Sequence, residues 1–283
     1  MSWGVDGVTV RFGDRVALAD VSLQVLPGRV TCVVGGDGAG KTTLLRCLAG
    51  AIAHDEGTVH RPDARRIGYL ASSSGTYPDL TVEENLGFAA GSYGVPPRHA
   101  RERAAELLER TGLGTARDRL AGNLSGGMRQ KLGVIGAMLH RPDLLILDEP
   151  TTGIDPVSRA DLWWLIARAA AQGAAVLLAT AYLDEAERAS WLLALDEGRA
   201  LAEGSPERIS ASVPGTILAV SERPRGEASR RAWRRGSRWR VWVPDAGTAG
   251  SVPPGSAVRP DLHDAVTVAA LVRELAAWAG DAA

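Results

Sequence analysis

Val30-Thr31-Cys32-Val33-Val34-Gly35-Gly36-Asp37-Gly38-Ala39-Gly40-Lys41-Thr42-Thr43 runs a compact apolar strand into a glycine-rich turn. A helical pattern follows, carried by Leu44, Leu45 and Leu48 and stopped at Gly50. Residues 35–42 fit G-x-x-x-x-G-K-[ST] in the setting the pattern requires, after a strand and opening a helix. Phosphate binding follows from the physics: glycines let successive backbone N–H groups converge on an anion, and a helix N-terminus adds about half a positive charge. Lys41 can then reach the β and γ phosphates, and the Thr42 hydroxyl can ligate Mg²⁺. Alone, this pattern implies a nucleotide phosphate and leaves kinases, GTPases and transport ATPases open.

Outward from this unit, residues 144–147 and 174–179 are continuous apolar runs separated by a helical stretch at 158–171, the pattern of a parallel α/β sheet. Alternating apolar positions over 8–25 predict short antiparallel strands, and helices are expected at 82–90, 98–111 and 127–139. Residues 192–195 and 199–202 read as a hairpin about Asp196, Glu197 and Gly198. Gly, Ser and Pro at 204–215 suggest a boundary. The expected architecture is an α/β P-loop NTPase core, mostly parallel, with an N-terminal antiparallel β subdomain. A nucleotide-binding domain spans 1–210, with a helical part at about 72–140, and a small α+β extension spans 211–283.

Leu144-Leu145-Ile146-Leu147-Asp148-Glu149 ends four apolar residues on two carboxylates. A buried strand delivering acids at its C-terminal end places them at the ligand edge of an open α/β sheet. Asp148 is the candidate Mg²⁺ holder and Glu149 the candidate catalytic group polarising the attacking water. A strand ending in a solvated turn would look the same locally.

Leu124-Ser125-Gly126-Gly127-Met128-Arg129-Gln130, just upstream, separates these possibilities. It resembles the signature of the ATP-binding cassette family. The resemblance, covering residues 5–210, implies that Ser125 and the N–H groups of Gly126 and Gly127 bind the γ phosphate of ATP held by an opposite subunit. Read without the family, Ser125 is a helix N-cap. The likeness also puts Phe12 where an aromatic stacks on adenine, although a core phenylalanine would fit that position too. Gly153-Ile154-Asp155 matches a loop that communicates across the dimer. Residues 77–86 (YPDLTVEENL) resemble the segment of drug-exporter and related type-2 cassettes that approaches the membrane subunit's coupling helix. Implied partners are an integral membrane permease subunit and a second cassette; the cofactors are ATP and Mg²⁺, with ATP contacts at Gly35, Gly36, Asp37, Gly38, Ala39, Gly40, Lys41, Thr42 and Thr43.

Two positions depart from the family pattern. Ser72 stands where a glutamine touching metal and water belongs, and Ala181 stands where a histidine belongs. Alanine donates no hydrogen bond to a γ phosphate. Such paired losses resemble the weaker, first cassette of tandem proteins, so turnover by the isolated chain is expected to be low. A soluble ribosome-associated cassette ATPase and a regulatory nucleotide-binding module are the alternatives; the former usually carries two cassettes in one chain.

Composition bounds the remainder. A net charge of −1 gives no global pull toward nucleic acid, and none is expected as a partner. No run reaches the roughly 18 apolar residues of a membrane span, so the expected location is cytoplasmic, at the inner face of the cell membrane through the permease. Two cysteines, Cys32 and Cys47, lie in apolar and amphipathic runs and read as buried free thiols. The two lysines, Lys41 and Lys131, both sit in motifs. Residues 222–243 interleave arginines with Trp233, Trp239 and Trp242, a composition suited to bases, lipid headgroups or a small solvated β unit, the last favoured by the alternation of Trp239, Val241 and Val243. Residues 259–277 resemble the short C-terminal segment of exporter cassettes.

Overall fold

The computed structural model describes residues 2–244 and 254–281, with side chains described to residue 276. The 211–283 extension therefore includes 245–253 and 282–283, which lie outside the described residues. The chain divides into two units, Met1–Ala200 and Leu201–Ala283.

In the first unit, β1 (Trp3–Phe12) and β2 (Arg15–Val25) form one long antiparallel hairpin rather than several short strands. Register shifts between Val5 and Val8 and on to Arg11 break the alternation, with Gly7 at φ 57° in the first of them, while pairing continues on both sides. β3 (Val30–Val34) is buried throughout and leads into α1 (Lys41–Ala49). β4 (Glu56–His60) joins the other edge of β1, giving the order β2-β1-β4. Periodicity misses β4 because its sequence EGTVH offers a single apolar residue.

After β5 (Ile67–Leu70) come three helices: α2 (Val82–Ser92), α3 (Pro97–Arg110) and α4 (Gly126–Met138). β6 (Leu144–Asp148) is wholly buried and followed by α5 (Pro156–Ala171), which begins earlier than its apolar pattern because Asp155 caps it and Pro156 takes the first position. Then come β7 (Ala175–Thr180), the short α6 (Leu183–Ala186), β8 (Trp191–Asp196) and β9 (Arg199–Gly204). The main sheet has the order β5-β6-β7-β3-β8-β9. The pairs from β5 through β7 and β3 to β8 are parallel, so the C-terminal ends of β3, β6 and β7 share one edge. Between this sheet and the β1–β2 hairpin lies a core containing Leu18, Val33, Leu44, Leu45, Ile146, Leu177 and Leu193. Cys32 and Cys47 are free and buried, and burial pushes both thiols up.

The second unit begins at Leu201, just ahead of the 204–215 stretch whose composition suggests a boundary. Within that stretch Ser205 caps α7 (Pro206–Ala211), with Pro206 in the first turn. β10 (Thr216–Val220), β11 (Ala232–Arg235), β12 (Arg238–Val243) and β13 (Ser256–Val258) form an antiparallel sheet ordered β11-β12-β10-β13, followed by α8 (Leu262–Asp281). One face seats Trp242 with Ile217 and Val268; the other seats Val241 with Val220, Ala228 and Trp239. Trp233 donates its indole N–H to Asp264 at 3.2 Å and the buried Trp242 donates to the Pro214 carbonyl at 2.6 Å, which satisfies both indoles.

Candidate functional site

The turn after β3 is glycine-rich for definite reasons. A side chain on Gly35 would strike the Leu195 carbonyl at 2.3 Å. Gly40 has φ 102°, and its missing side chain would meet the Ala17 carbonyl at 2.8 Å. Gly40 is also the N-cap of α1 and supplies no side-chain cap, so no side chain at the cap competes for the first-turn N–H donors. Lys41 is buried and folds back over the loop, donating to the carbonyls of Gly35 at 2.9 Å and Gly36 at 3.1 Å.

β6 brings the two carboxylates to the same edge. Glu149 sits at φ 50°, an uncommon backbone for glutamate, with its N–H bonded to the Ala179 carbonyl at 3.0 Å. Its Oε1 lies 3.3 Å from Lys41 Nζ, and its Oε2 accepts from Thr152 at 3.3 Å. Asp148 is 1% exposed, and among the described residues neither carboxylate oxygen makes a hydrogen bond of good geometry. Burial raises its pKa above the ordinary carboxylate range; the nearby Thr42 hydroxyl opposes the rise and the Glu149 charge adds to it. A buried acid with both oxygens unused beside a threonine hydroxyl fits a divalent cation that takes one carboxylate and completes its shell with water and phosphate.

Together these elements line a cavity of about 690 Å³, bounded by Phe12, Arg15, Val16, Ala17, residues 37–43, Glu149 and Glu197. Phe12 is 55% exposed at its mouth, which removes the alternative of a core phenylalanine. Arg15, Val16, Ala17 and Glu197 carry no motif signal, and only the fold brings the two hairpin turns to the phosphate loop.

Ser125, Gly126 and Gly127 do not line this cavity. Ser125 caps α4, accepting from Met128 N–H at 3.3 Å. Gly127 packs against α5, where a side chain would lie 2.5 Å from Ser158 Oγ, whereas Gly126 has nothing within 4 Å. Ser72 and Ala181 are exposed and also lie outside the cavity lining. Lys131, the other lysine, is structural: it donates to the Thr111 carbonyl at 2.8 Å and pairs with Asp161 at 3.0 Å.

In the helical part, Thr81 and Glu84 form a reciprocal capping box on α2. The buried Asn85 amide holds the preceding turn through the Tyr77 N–H and the carbonyls of Tyr77, Leu80 and Thr81. This turn places Tyr77 against Phe88 of α2, each about half exposed, edge to face at 4.8 Å.

Known proteins share this sequence and fold. Residues 18–152 match the family model described as ABC transporter. The chain is 41% identical over 223 residues to the "Probable multidrug ABC transporter ATP-binding protein YbhF" of Escherichia coli (strain K12), covering 75% of this chain but 39% of YbhF. It is 39% identical over 237 residues to the daunorubicin/doxorubicin resistance ATP-binding protein DrrA of Streptomyces peucetius, covering 79% and 72% of the two chains. Against the Nod factor export ATP-binding protein I of Cupriavidus metallidurans it is 38% identical, covering 72% and 71%. Among solved structures, an ATP-binding subunit of an ABC transporter superposes with TM-score 0.69 at 29% identity, covering 75% of this chain and 92% of that one. A cassette in its ADP conformation gives TM-score 0.64 at 27% identity, covering 74% and 92%. By sequence, by fold and by the order of its motifs, this chain belongs to the ATP-binding subunits of the ABC transporter family.

Proposed function

We propose that this chain binds and hydrolyses ATP to power export through a separate membrane permease, as the weaker cassette of an asymmetric pair. The observation that carries the ATPase reading is the convergence of an uncapped helix N-terminus, Lys41 and Glu149 on one cavity. Lys41 is already held among three oxygens, two carbonyls and a carboxylate, as it would be by phosphate oxygens. A triphosphate competes with Glu149 for this ammonium and so releases the carboxylate to accept a proton from water. Thr42 and Asp148 are the residues that would hold Mg²⁺, which supplies charge neutralisation on the phosphates when bound. Phe12, exposed beside the loop, would stack on the base.

The export reading rests on relatives named for multidrug transport, drug resistance and Nod factor export. The exposed pair of Tyr77, on its turn, and Phe88, on α2, would meet the permease. Among the described residues no helix is long and apolar enough to cross a membrane. Ser125, Gly126 and Gly127, away from this chain's own cavity, would serve ATP on a second cassette.

The asymmetric reading rests on Ser72 and Ala181, neither of which supplies the contact its family counterpart would. Losing one preorganised donor costs about 10²–10³ in rate in well-studied sites. Steady-state hydrolysis by the purified chain should therefore be slow, and Ala181→His combined with Ser72→Gln should raise it. Fast turnover without gain from the double change would refute the asymmetry.

A further inference from the structure

Glu185 is 1% exposed and lies four residues after Ala181, with no role assigned to it by the sequence, yet it sits behind the edge that carries Glu149. Its Oε2 accepts from Thr151 Oγ1 at 2.7 Å and from Thr180 Oγ1 at 2.8 Å, and both threonines are fully buried. Thr151 follows Glu149 by two residues; Thr180 ends β7 directly before Ala181 and also accepts the Tyr182 N–H at 3.1 Å. One carboxylate oxygen thus ties together the turns after β6 and β7. Its other oxygen, Oε1, faces Arg159 Nε at 3.5 Å, too long for a hydrogen bond and held by charge.

Arg159 extends the connection. It lies on α5 beside Ser158, the residue against which Gly127 packs, and its guanidinium also covers the Tyr182 ring at 5.3 Å. Contacts therefore run from the Glu149 turn through Glu185 to Arg159 on α5, whose sequence neighbour Ser158 faces Gly127 at the start of α4. Burying a carboxylate is costly unless it is bonded and paired, so Glu185 holds its partners strongly or not at all. The arrangement has a particular use here: Ala181 offers no polar group to anchor the β7 turn from the phosphate side, leaving Glu185 to anchor it from behind.

We propose that Glu185 is a positioning residue: it fixes the spacing of the Glu149 and Thr180 turns and links them, through Arg159, to the Gly127 turn that would serve a partner's ATP. The inference rests on the ATPase reading above for its effect on rate, but not for its effect on structure. Two readouts separate the two. Single-turnover hydrolysis of radiolabelled MgATP, with protein in excess, should slow at least about tenfold in Glu185→Gln, Thr151→Val and Thr180→Val, while MgATP affinity stays within about twofold. Thr151→Ser and Thr180→Ser keep the hydroxyl and should keep the rate. Amide exchange should quicken in Glu185→Gln at peptides covering 149–155 and 125–130. A rate loss matched by an equal affinity loss, or faster exchange confined to 180–186, overturns the proposal. Absence of hydrolysis in the wild type would defeat the ATPase reading, and amide exchange would still decide the role of Glu185. Should Glu185→Gln fail to fold, the valine variants probe the same bonds, with exchange read at the same two peptides.

Discussion

Two glycine-rich turns open helices in this molecule, and their glycines are there for different reasons. At residues 35–40 the backbone requires three of the four: Gly38 and Gly40 have φ 79° and 102°, and Gly35 and Gly40 abut backbone carbonyls, while Gly36 has open space. At 125–127 the turn is already capped by Ser125, Gly127 is explained by Ser158, and Gly126 meets nothing within 4 Å among the described residues. An uncapped N-terminus leaves its N–H groups for a ligand of the same chain. A capped one with an idle glycine leaves room for something from outside.

The largest effect that could break this comparison is at Lys41. Lys41→Ala removes the ammonium facing several phosphate oxygens, and each charge-assisted bond contributes about 1.5–3 kcal/mol. Titration with a fluorescent nucleotide should show MgATP affinity falling by about a hundredfold or more. Unchanged affinity would mean that the first turn is not the phosphate site.

Asp148 sharpens the same half of the comparison through pH. Its folded pKa is raised by burial, so the folded chain binds this proton more tightly than the unfolded one. Without nucleotide, the Asp148 contribution to stability should therefore fall as pH climbs from the ordinary carboxylate value to the raised one. Asp148→Asn should flatten that part of the profile and raise the melting temperature of the nucleotide-free chain. It should also remove the Mg²⁺ dependence of nucleotide binding. A melting temperature that drops instead would show that the carboxylate has a partner in the folded protein.

At the second turn, Gly127→Ala places a methyl 2.5 Å from Ser158 Oγ. Overpacking of this kind costs about 1–3 kcal/mol, measurable by urea unfolding, and Ser158→Gly should recover most of it. Absence of any cost would mean that the α4–α5 contact yields easily and that Gly127 needs another explanation.

These contrasts also show why some parts were legible in the sequence and others were not. The phosphate loop, the β6 carboxylates and α4 were legible because strand, loop and helix are local patterns whose spacing carries chemistry. The 690 Å³ cavity drew on Arg15 and Glu197 from two hairpin turns that no local pattern connects to residue 41. Glu185 was hidden for a related reason: its neighbours in sequence are ordinary helix residues, and its meaning comes from Thr151 and Arg159, brought to it by sheet order. The β1–β2 hairpin read as fragments because bulges interrupt alternation without interrupting pairing.

The smallest effect on the lone chain is also the most discriminating. Gly126 occupies the first position of α4, its φ is not in the left-handed region, and a side chain there meets no atom within 4 Å. Gly126→Ala should consequently change stability by less than about 0.5 kcal/mol, since a surface substitution free of clashes rarely does more. Binding of MgATP to the chain's own cavity should not change either, because Gly126 does not line it. Neutrality by these two measures is what an ordinary capped helix would also give. The readings part only when a second cassette is present: a methyl group over the exposed N–H groups would then stand between them and a partner's γ phosphate. Hydrolysis by the co-purified pair should fall severalfold or more, with the lone chain's melting curve and nucleotide affinity serving as internal controls. If the pair hydrolyses ATP as fast with alanine as with glycine, the second turn is a structural cap and nothing more.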